Sequence, residues 1–284
     1  MGPAFATSRA WCLALAVMGA LALRPDPVMA ERGGLAPYSD DPVIALLWQV
    51  QQQVYAGNFD AAAEAYDEAR RLDPYRTRCA FDFDIHRNDG LGMRIYDTEV
   101  RPDLHRGDGE VLSWEELNTR LEADPDDADL LRQRALAYAM VWGWEPARVD
   151  LSAAMAADPG DPTLLALRGM AFAHQDGREA EARDDLSQAI ERGAEGRGAV
   201  IAYVGALLEL GDDGSACPML DAAKAIGGPE DALLAGYQAF ELYFFAAVCA
   251  QDSDDGSAKD ARREMEQVYE AWADRADAYC ADAN

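Results

Sequence analysis

The chain has 284 residues, with 25 basic and 52 acidic side chains and a net charge of -27. A charge of this sign and size repels nucleic acid and anionic membrane surfaces, which excludes a nucleic-acid partner. Half of the residues are hydrophobic, which is enough for a folded core.

Residues 1–30 have the layout of a secretory signal peptide. A basic residue, Arg9, precedes an apolar run from Trp11 to Leu23, and small residues follow up to Ala30. The apolar run of 13 residues is shorter than the ~20 that a membrane span needs. We therefore expect cleavage after Ala30 and a periplasmic or secreted mature chain from Glu31 that does not span a membrane. The alternative is an uncleaved membrane anchor.

The next feature is a register of 34 residues, which runs through Pro125, Pro159, Gly193 and Gly227. A fixed period of this length is typical of helix-turn-helix solenoids. Within each period, two sets of residues follow helical spacing, and several of them are small, which allows close helix packing. These positions are Leu131, Ala135, Tyr138, Ala147, Leu151 and Ala154, then Leu165, Gly169, Phe172, Ala182, Leu186 and Ala189, then Val200, Val204, Leu207, Ala216, Leu220 and Ala223.

Residues 57–74 repeat the same arrangement before the register begins, with Ala62, Tyr66 and Ala69 at the helical positions and Pro74 at the end. Together the units resemble the tetratricopeptide repeat family over 43–74 and 127–228, and more loosely over 231–279. The resemblance implies an all-α, right-handed superhelix of about five units with a concave peptide-binding face. Pro218 departs from the pattern, and we expect it in the first turn of a helix, where proline is tolerated.

The sequence divides into five parts. After the signal peptide, residues 31–75 hold an N-terminal segment and the first repeat, and residues 76–112 form an insertion. Residues 113–228 hold a half-repeat and three repeats; the half-repeat begins at a capping box, Ser113 to Glu116, and its helix ends at Ala123. Residues 229–284 hold a degenerate repeat and a long capping helix from Ala258 to Tyr279.

The insertion is non-helical in character, and its alternation of apolar and polar residues predicts a small β-hairpin. Asp82, Asp84 and His86 would share one face of a strand, which makes them candidate cation ligands. The alternative is an amphipathic strand with its polar face in water. Residues 107–116 resemble half of a calcium-binding loop, but the required ligands are missing, so we do not assign calcium to them.

Four cysteines follow the signal peptide, and an even number in an exported chain favours disulfides. Cys217 and Cys249 lie near the ends of adjacent antiparallel helices, so this pair is favoured. Cys79 and Cys280 lie at opposite ends of the solenoid, and their pairing stays open.

No nucleophile–base motif, phosphate loop or zinc motif is present, so we predict neither catalysis nor a cofactor. The leading hypothesis is an exported scaffold that binds a protein or peptide in its groove. The alternative is a structural subunit of an envelope complex that docks through the apolar helix 232–249. The oligomeric state is left open. His174 is expected at the end of a first helix as an exposed polar residue. The predicted groove residues are Trp48, Gln51, Tyr55, Arg132, Gln133, Leu136, Met140, Leu167, Met170, His174, Ile201 and Leu208.

Overall fold

The described part of the chain is entirely helical, as the repeat pattern predicts. The computed structural model describes residues 40–77, 79, 112–194, 196–226, 232–251 and 257–281, without the side chains of 232–237, 258, 276–277 and 279–280. The predicted signal peptide and most of the insertion lie outside these residues. The helices are α1 Pro42–Tyr55, α2 Phe59–Leu72, α3 Pro74–Thr77, α4 Trp114–Ala123, α5 Ala128–Met140, α6 Trp144–Ala157, α7 Pro162–Ala173, α8 Glu179–Glu191, α9 Arg197–Glu209, α10 Asp213–Ala225, α11 Ala232–Cys249 and α12 Ser257–Cys280.

The helices stack as successive pairs. Helices α1 and α2, α5 and α6, α7 and α8, α9 and α10, and α11 and α12 pack against each other within a pair. From the second of these pairs onward, the second helix of one pair also packs on the first helix of the next. Each unit therefore contacts mainly its neighbours, which is the organisation of a helical solenoid.

Among the described residues, the core forms one large cluster from α1 to α9 and a second from α9 to α11, and both contain the residues at helical spacing. Every position that the repeat pattern singles out, including Ala62, Tyr66 and Ala69 in the first unit, is buried. Helices α7 and α8 approach each other closely, since a Cβ added at Gly169 would lie 2.6 Å from the Leu186 Cγ atom. The small residues thus set the distance between paired helices.

Aspartate side chains cap the N-termini of several helices. Asp41, Asp127, Asp161 and Asp212 each accept a hydrogen bond from a backbone N–H in the first turn of the helix that follows. These bonds satisfy donors that have no partner within the helix, and the negative charge faces the positive end of the helix dipole. Some of the many acidic residues therefore stabilise the starts of helices.

The turn between paired helices requires a left-handed backbone, and one repeat meets this requirement with an unexpected residue. Gly57, Gly177 and Gly211 have φ values of 72°, 78° and 74° in their turns. Trp142 takes the same place in the turn between α5 and α6, with φ 58°. The left-handed region costs an L-residue about 1–2 kcal/mol, so this turn is strained compared with the others.

The expected position of Pro218 is wrong. Pro218 lies inside α10, five residues after its start at Asp213, rather than in the first turn. The helix begins earlier than the sequence indicates because Asp212 caps it, accepting from the Ser215 N–H. Proline at this position cannot donate the usual backbone hydrogen bond to the carbonyl one turn before.

The last two helices cover much of each other's apolar surface. From Gln238 onward no described side chain of α11 is exposed, and Leu242 and Phe245 are buried. Phe240 packs against Tyr269 of α12, with ring centroids 5.3 Å apart. The predicted capping helix is present as α12, and its Met265 is fully buried against α11. The described part of α11 therefore packs most of its apolar side chains within the chain, and docking through this helix stays a prediction.

Candidate functional site

The predicted groove residues fall into two groups by burial. Six are buried in the stack and contribute to helix packing: Arg132, Leu136, Leu167, Met170, Ile201 and Leu208. Their burial leaves a partner little access to them, and their part in a groove stays a prediction. The other six, Trp48, Gln51, Tyr55, Gln133, Met140 and His174, are at least partly accessible. Tyr55 is the most open of them, with 79% of its surface exposed.

His174 is not the exposed polar residue that the sequence indicates. It ends α7, is half-buried, and its imidazole stacks on the Trp144 indole at a centroid distance of 4.2 Å. Because Trp144 begins α6, the stack joins two neighbouring pairs of helices. The main role of His174 in the fold is therefore packing.

A cleft opens where the regular register is interrupted. It lies between α2, α4 and α5 and has a volume of about 470 Å³. We call this space the junction cleft, and its lining residues are Asp60, Trp114, Asn118, Leu121, Glu122, Pro125, Arg134 and Tyr138. The cleft combines aromatic surface with polar groups from three helices, as ligand-binding clefts commonly do.

The floor of the junction cleft is aromatic. The rings of Trp114 and Tyr138 meet edge to face, with centroids 5.3 Å apart. The Tyr138 hydroxyl donates a hydrogen bond of 2.5 Å to Oδ1 of Asp60. Burial, together with this hydrogen bond, raises the pKa of Tyr138 well above its usual value of about 10. The phenol is therefore held neutral, and it ties α5 to the first turn of α2.

The positive charge of Arg134, the arginine that lines the junction cleft, is balanced by Asp150 of α6. Arg134 donates through Nε and Nη2 to both carboxylate oxygens of Asp150, at 2.7 and 2.8 Å, and through Nη1 to Asn118 at 3.3 Å. The hydrogen bonds to Asp150 raise the pKa of Arg134. One unit later, Arg168 and Asp185 form the same bidentate pair, at 2.6 and 2.8 Å. The pair thus belongs to the repeat structure and locks a first helix to its second helix.

Helix α4 is held at the cleft by a contact across the insertion. Ser113 accepts a hydrogen bond from the Glu116 N–H, so the predicted N-cap is confirmed. The backbone N–H of Trp114 donates to Oδ2 of the buried Asp67 of α2 at 2.9 Å, across 47 positions of sequence. Asp67 also pairs with Arg70 and Arg71. The first repeat therefore fixes the start of α4 and the position of the Trp114 ring.

The structure identifies no metal centre within the described ranges. No group of three or more His, Cys, Asp or Glu side chains there could hold a metal ion. Asp82, Asp84 and His86 lie outside the described residues, so the cation-site hypothesis stays a prediction. The favoured disulfide is present, because Cys217 of α10 and Cys249 of α11 are bonded with Cα atoms 5.8 Å apart. Cys79 is disulfide-bonded as well. The side chain of Cys280 lies outside the described set.

Sequence reasoning did not find the junction cleft. Its polar residues, Asp60, Asn118, Glu122 and Arg134, carry no recognisable motif in a chain rich in carboxylates. One signal was available: Arg134 and Arg168 are separated by one 34-residue period, and Asp150 and Asp185 by 35 residues. Charged residues that recur at the repeat period on opposite helices predict a repeated ion pair.

The paired helices, each packed mainly on its neighbours, define a tetratricopeptide-like helical solenoid. No protein-family model matches the chain, and no curated protein does. A solved structure of a tetratricopeptide repeat protein from Parabacteroides merdae is similar at 16% identity, over 85% of this chain and 92% of that one, with a TM-score of 0.39. None of the described helices combines the length and apolarity needed to cross a bilayer.

Proposed function

We propose that the protein is an exported scaffold that binds a peptide or protein segment along its helical stack and performs no catalysis of its own. The observation that carries this proposal is the continuous stack of helix pairs, since such stacks offer extended surfaces formed by several units. Export is proposed from the signal-like residues 1–30 and agrees with the Cys217–Cys249 disulfide, a bond that persists in oxidising compartments.

The accessible members of the predicted groove are the first residues to test. Trp48, Gln51 and Tyr55 lie on α1, and Gln133 and Met140 lie on α5. Tyrosine, tryptophan and methionine are residue types that anchor protein interfaces. Because Tyr55 is largely exposed, its removal should change binding without changing the core.

The test is affinity capture from the envelope or culture medium of the producing cell, with the mature chain as bait. We expect Tyr55→Ala to reduce capture of a specific partner while the thermal midpoint of unfolding stays unchanged. Val149→Ala is the matched control, because Val149 is also an exposed large hydrophobic residue, with 53% of its surface accessible. Equal capture by the wild type and by the Tyr55→Ala and Trp48→Ala variants would argue against this groove.

Two further measurements test the remaining parts of the proposal. A chain that lacks residues 76–112 shows whether the insertion selects the partner. N-terminal sequencing of the protein recovered outside the cytoplasm should begin at Glu31. A start at Met1 in a membrane fraction would favour the uncleaved anchor instead.

A further inference from the structure

We propose that the junction cleft binds a cationic side chain, a lysine ammonium or an arginine guanidinium, from a basic segment of the partner. This inference rests on the proposed scaffold function and names the chemistry that one of its sites recognises. It concerns the irregular junction between α2, α4 and α5, rather than the residues predicted for the groove.

The charged side chains that line the junction cleft carry a net negative charge. From α2 the cleft receives Asp60, from α4 Glu122, and from α5 Arg134 and the neutral Tyr138. Asp150 of α6 neutralises Arg134 from behind through two hydrogen bonds. Asp60 and Glu122 are both exposed, and neither belongs to an ion pair within the described part of the chain. Two carboxylates are thus available to a cation that enters from solvent.

The junction cleft also has apolar surface for the aliphatic part of a long basic side chain. Trp114, Leu121, Pro125 and Tyr138 supply an apolar wall for an aliphatic stem. The aromatic floor adds a cation–π attraction for a charged head that lies within about 6 Å of a ring centroid. Oδ1 of Asp60 already accepts the Tyr138 hydroxyl, so the carboxylate is oriented before a ligand arrives. Such preorganisation lowers the cost of binding.

Other ligand classes fit the cleft less well. A phosphate or carboxylate would meet two exposed carboxylates, and a net charge of -27 would repel it over a longer range. The same field attracts a basic segment and speeds its encounter with the cleft. A bare divalent cation needs several oxygen ligands at once, and the described residues hold no such group of three acidic or His/Cys side chains.

The experiment uses the full mature chain and a defined probe. The probe is a blocked glycine peptide with one central arginine, and its comparison is the citrulline analogue, which has nearly the same shape without the charge. Binding is followed by the indole N–H resonance of Trp114 in ¹⁵N-tryptophan-labelled protein, which is assigned with Trp114→Phe. We expect the arginine peptide to shift this resonance saturably, with a Kd on the order of 1 mM for so small a contact. The citrulline peptide should leave it unchanged.

Variants of the two carboxylates localise the effect. Glu122→Gln should weaken binding several-fold, and Asp60→Asn/Glu122→Gln should weaken it by more than about tenfold. Added salt should weaken binding by the wild type more than binding by the double variant. Asparagine at 60 keeps an oxygen that can accept the Tyr138 hydroxyl, and the single Glu122→Gln variant changes only an exposed side chain. Glu209→Gln/Asp221→Asn removes the same charge from exposed sites on α9 and α10 and should bind like the wild type.

The outcomes separate this inference from the proposed function. No shift with the arginine peptide, an equal shift with citrulline, or full binding by the double variant would overturn the cationic site. If partner capture still depended on Tyr55 in that case, the scaffold function would stand without it. If the probe binds as expected but no partner is captured, the site stands and the scaffold proposal fails.

Discussion

Substitution of Gly169 by alanine tests whether the contact between α7 and α8 is as close as the structure indicates. The new Cβ would lie 2.6 Å from Leu186 Cγ and 3.1 Å from the Leu186 backbone nitrogen. The first contact could be relieved by rotation of the leucine, but the second requires a movement of α8. Overpacking of this kind costs about 1–3 kcal/mol, and alanine returns about 1 kcal/mol of helix propensity. We therefore expect a net loss of up to about 2 kcal/mol in the free energy of unfolding.

The measurement is urea denaturation followed by circular dichroism, with the disulfides intact. Gly214→Ala is the matched control, because Gly214 is also helical and a Cβ there would lie 3.8 Å from its nearest neighbour, Asp212 Oδ1. This control should gain up to about 1 kcal/mol.

A double-mutant cycle then assigns the loss to one contact. Leu186→Ala alone should cost about 2–5 kcal/mol, because Leu186 is fully buried. In combination with Gly169→Ala the costs should be less than additive, since the clashing atoms are gone. A Gly169→Ala variant that is stabilised as much as Gly214→Ala, or a cycle that is additive within about 0.5 kcal/mol, would refute the reasoning.

Three further predictions follow from the turns, the disulfide and the cleft. Cys217→Ala/Cys249→Ala should lower the free energy of unfolding by about 3.7 kcal/mol by the chain-entropy model, since the bond spans a sequence separation of 32. The loss is measured by urea denaturation of this variant rather than of the reduced wild type, because a reductant would also break the disulfide of Cys79. Trp142→Gly should be about 1 kcal/mol more stable than Trp142→Ala in thermal unfolding, because both lose the indole and only glycine adopts φ 58° without cost. Because the pKa of Tyr138 is raised in the folded state, its stabilising contribution is complete below about pH 10 and declines as pH rises further, so Tyr138→Phe should lose less stability than the wild type in alkaline solution.

Each of these has an outcome that contradicts it. An unchanged urea transition in the Cys217/Cys249 variant would mean that α10 and α11 do not depend on their crosslink. Equal stability of the Trp142→Gly and Trp142→Ala variants would remove the case for a strained turn. Parallel stability curves for the wild type and Tyr138→Phe above pH 10 would show that the phenol titrates like an exposed tyrosine.

The repeat framework could be predicted because it depends on short-range periodicity. Positions such as Ala135, Leu151 and Ala154 are buried for the same reason that they recur in the sequence, namely that they lie on the packed faces of paired helices. The N-cap at Ser113 and the Cys217–Cys249 bond were also predictable, since each follows from local spacing. In all these cases the partner residue lies within the same unit or in an adjacent one.

What could not be predicted depends on side chains that meet across the break in the register. Asp67 contacts the Trp114 N–H, and Asp60 contacts Tyr138 across 78 positions of sequence. Helical spacing describes which face a residue occupies, but not which distant unit that face meets. Leu167 and Ile201 of the predicted groove are buried for a related reason. In a stack, a first helix packs on helices before and after it, so more of its surface is buried than a single amphipathic helix would show.

The hydrogen bond from the Trp114 N–H to Asp67 has a consequence for how this chain can change. This hydrogen bond joins the chain segments on either side of the 76–112 interval, since Asp67 lies in the first repeat and Trp114 begins α4. This contact helps to position α4 against the first repeat, together with Leu112, which is buried in the core. Each doubling of a flexible loop's length adds only about 0.6 kcal/mol to its closure cost. We therefore expect a change in the length of the loop between Cys79 and Leu112 to cost little in closure entropy, while the Asp67 contact keeps the junction cleft in place.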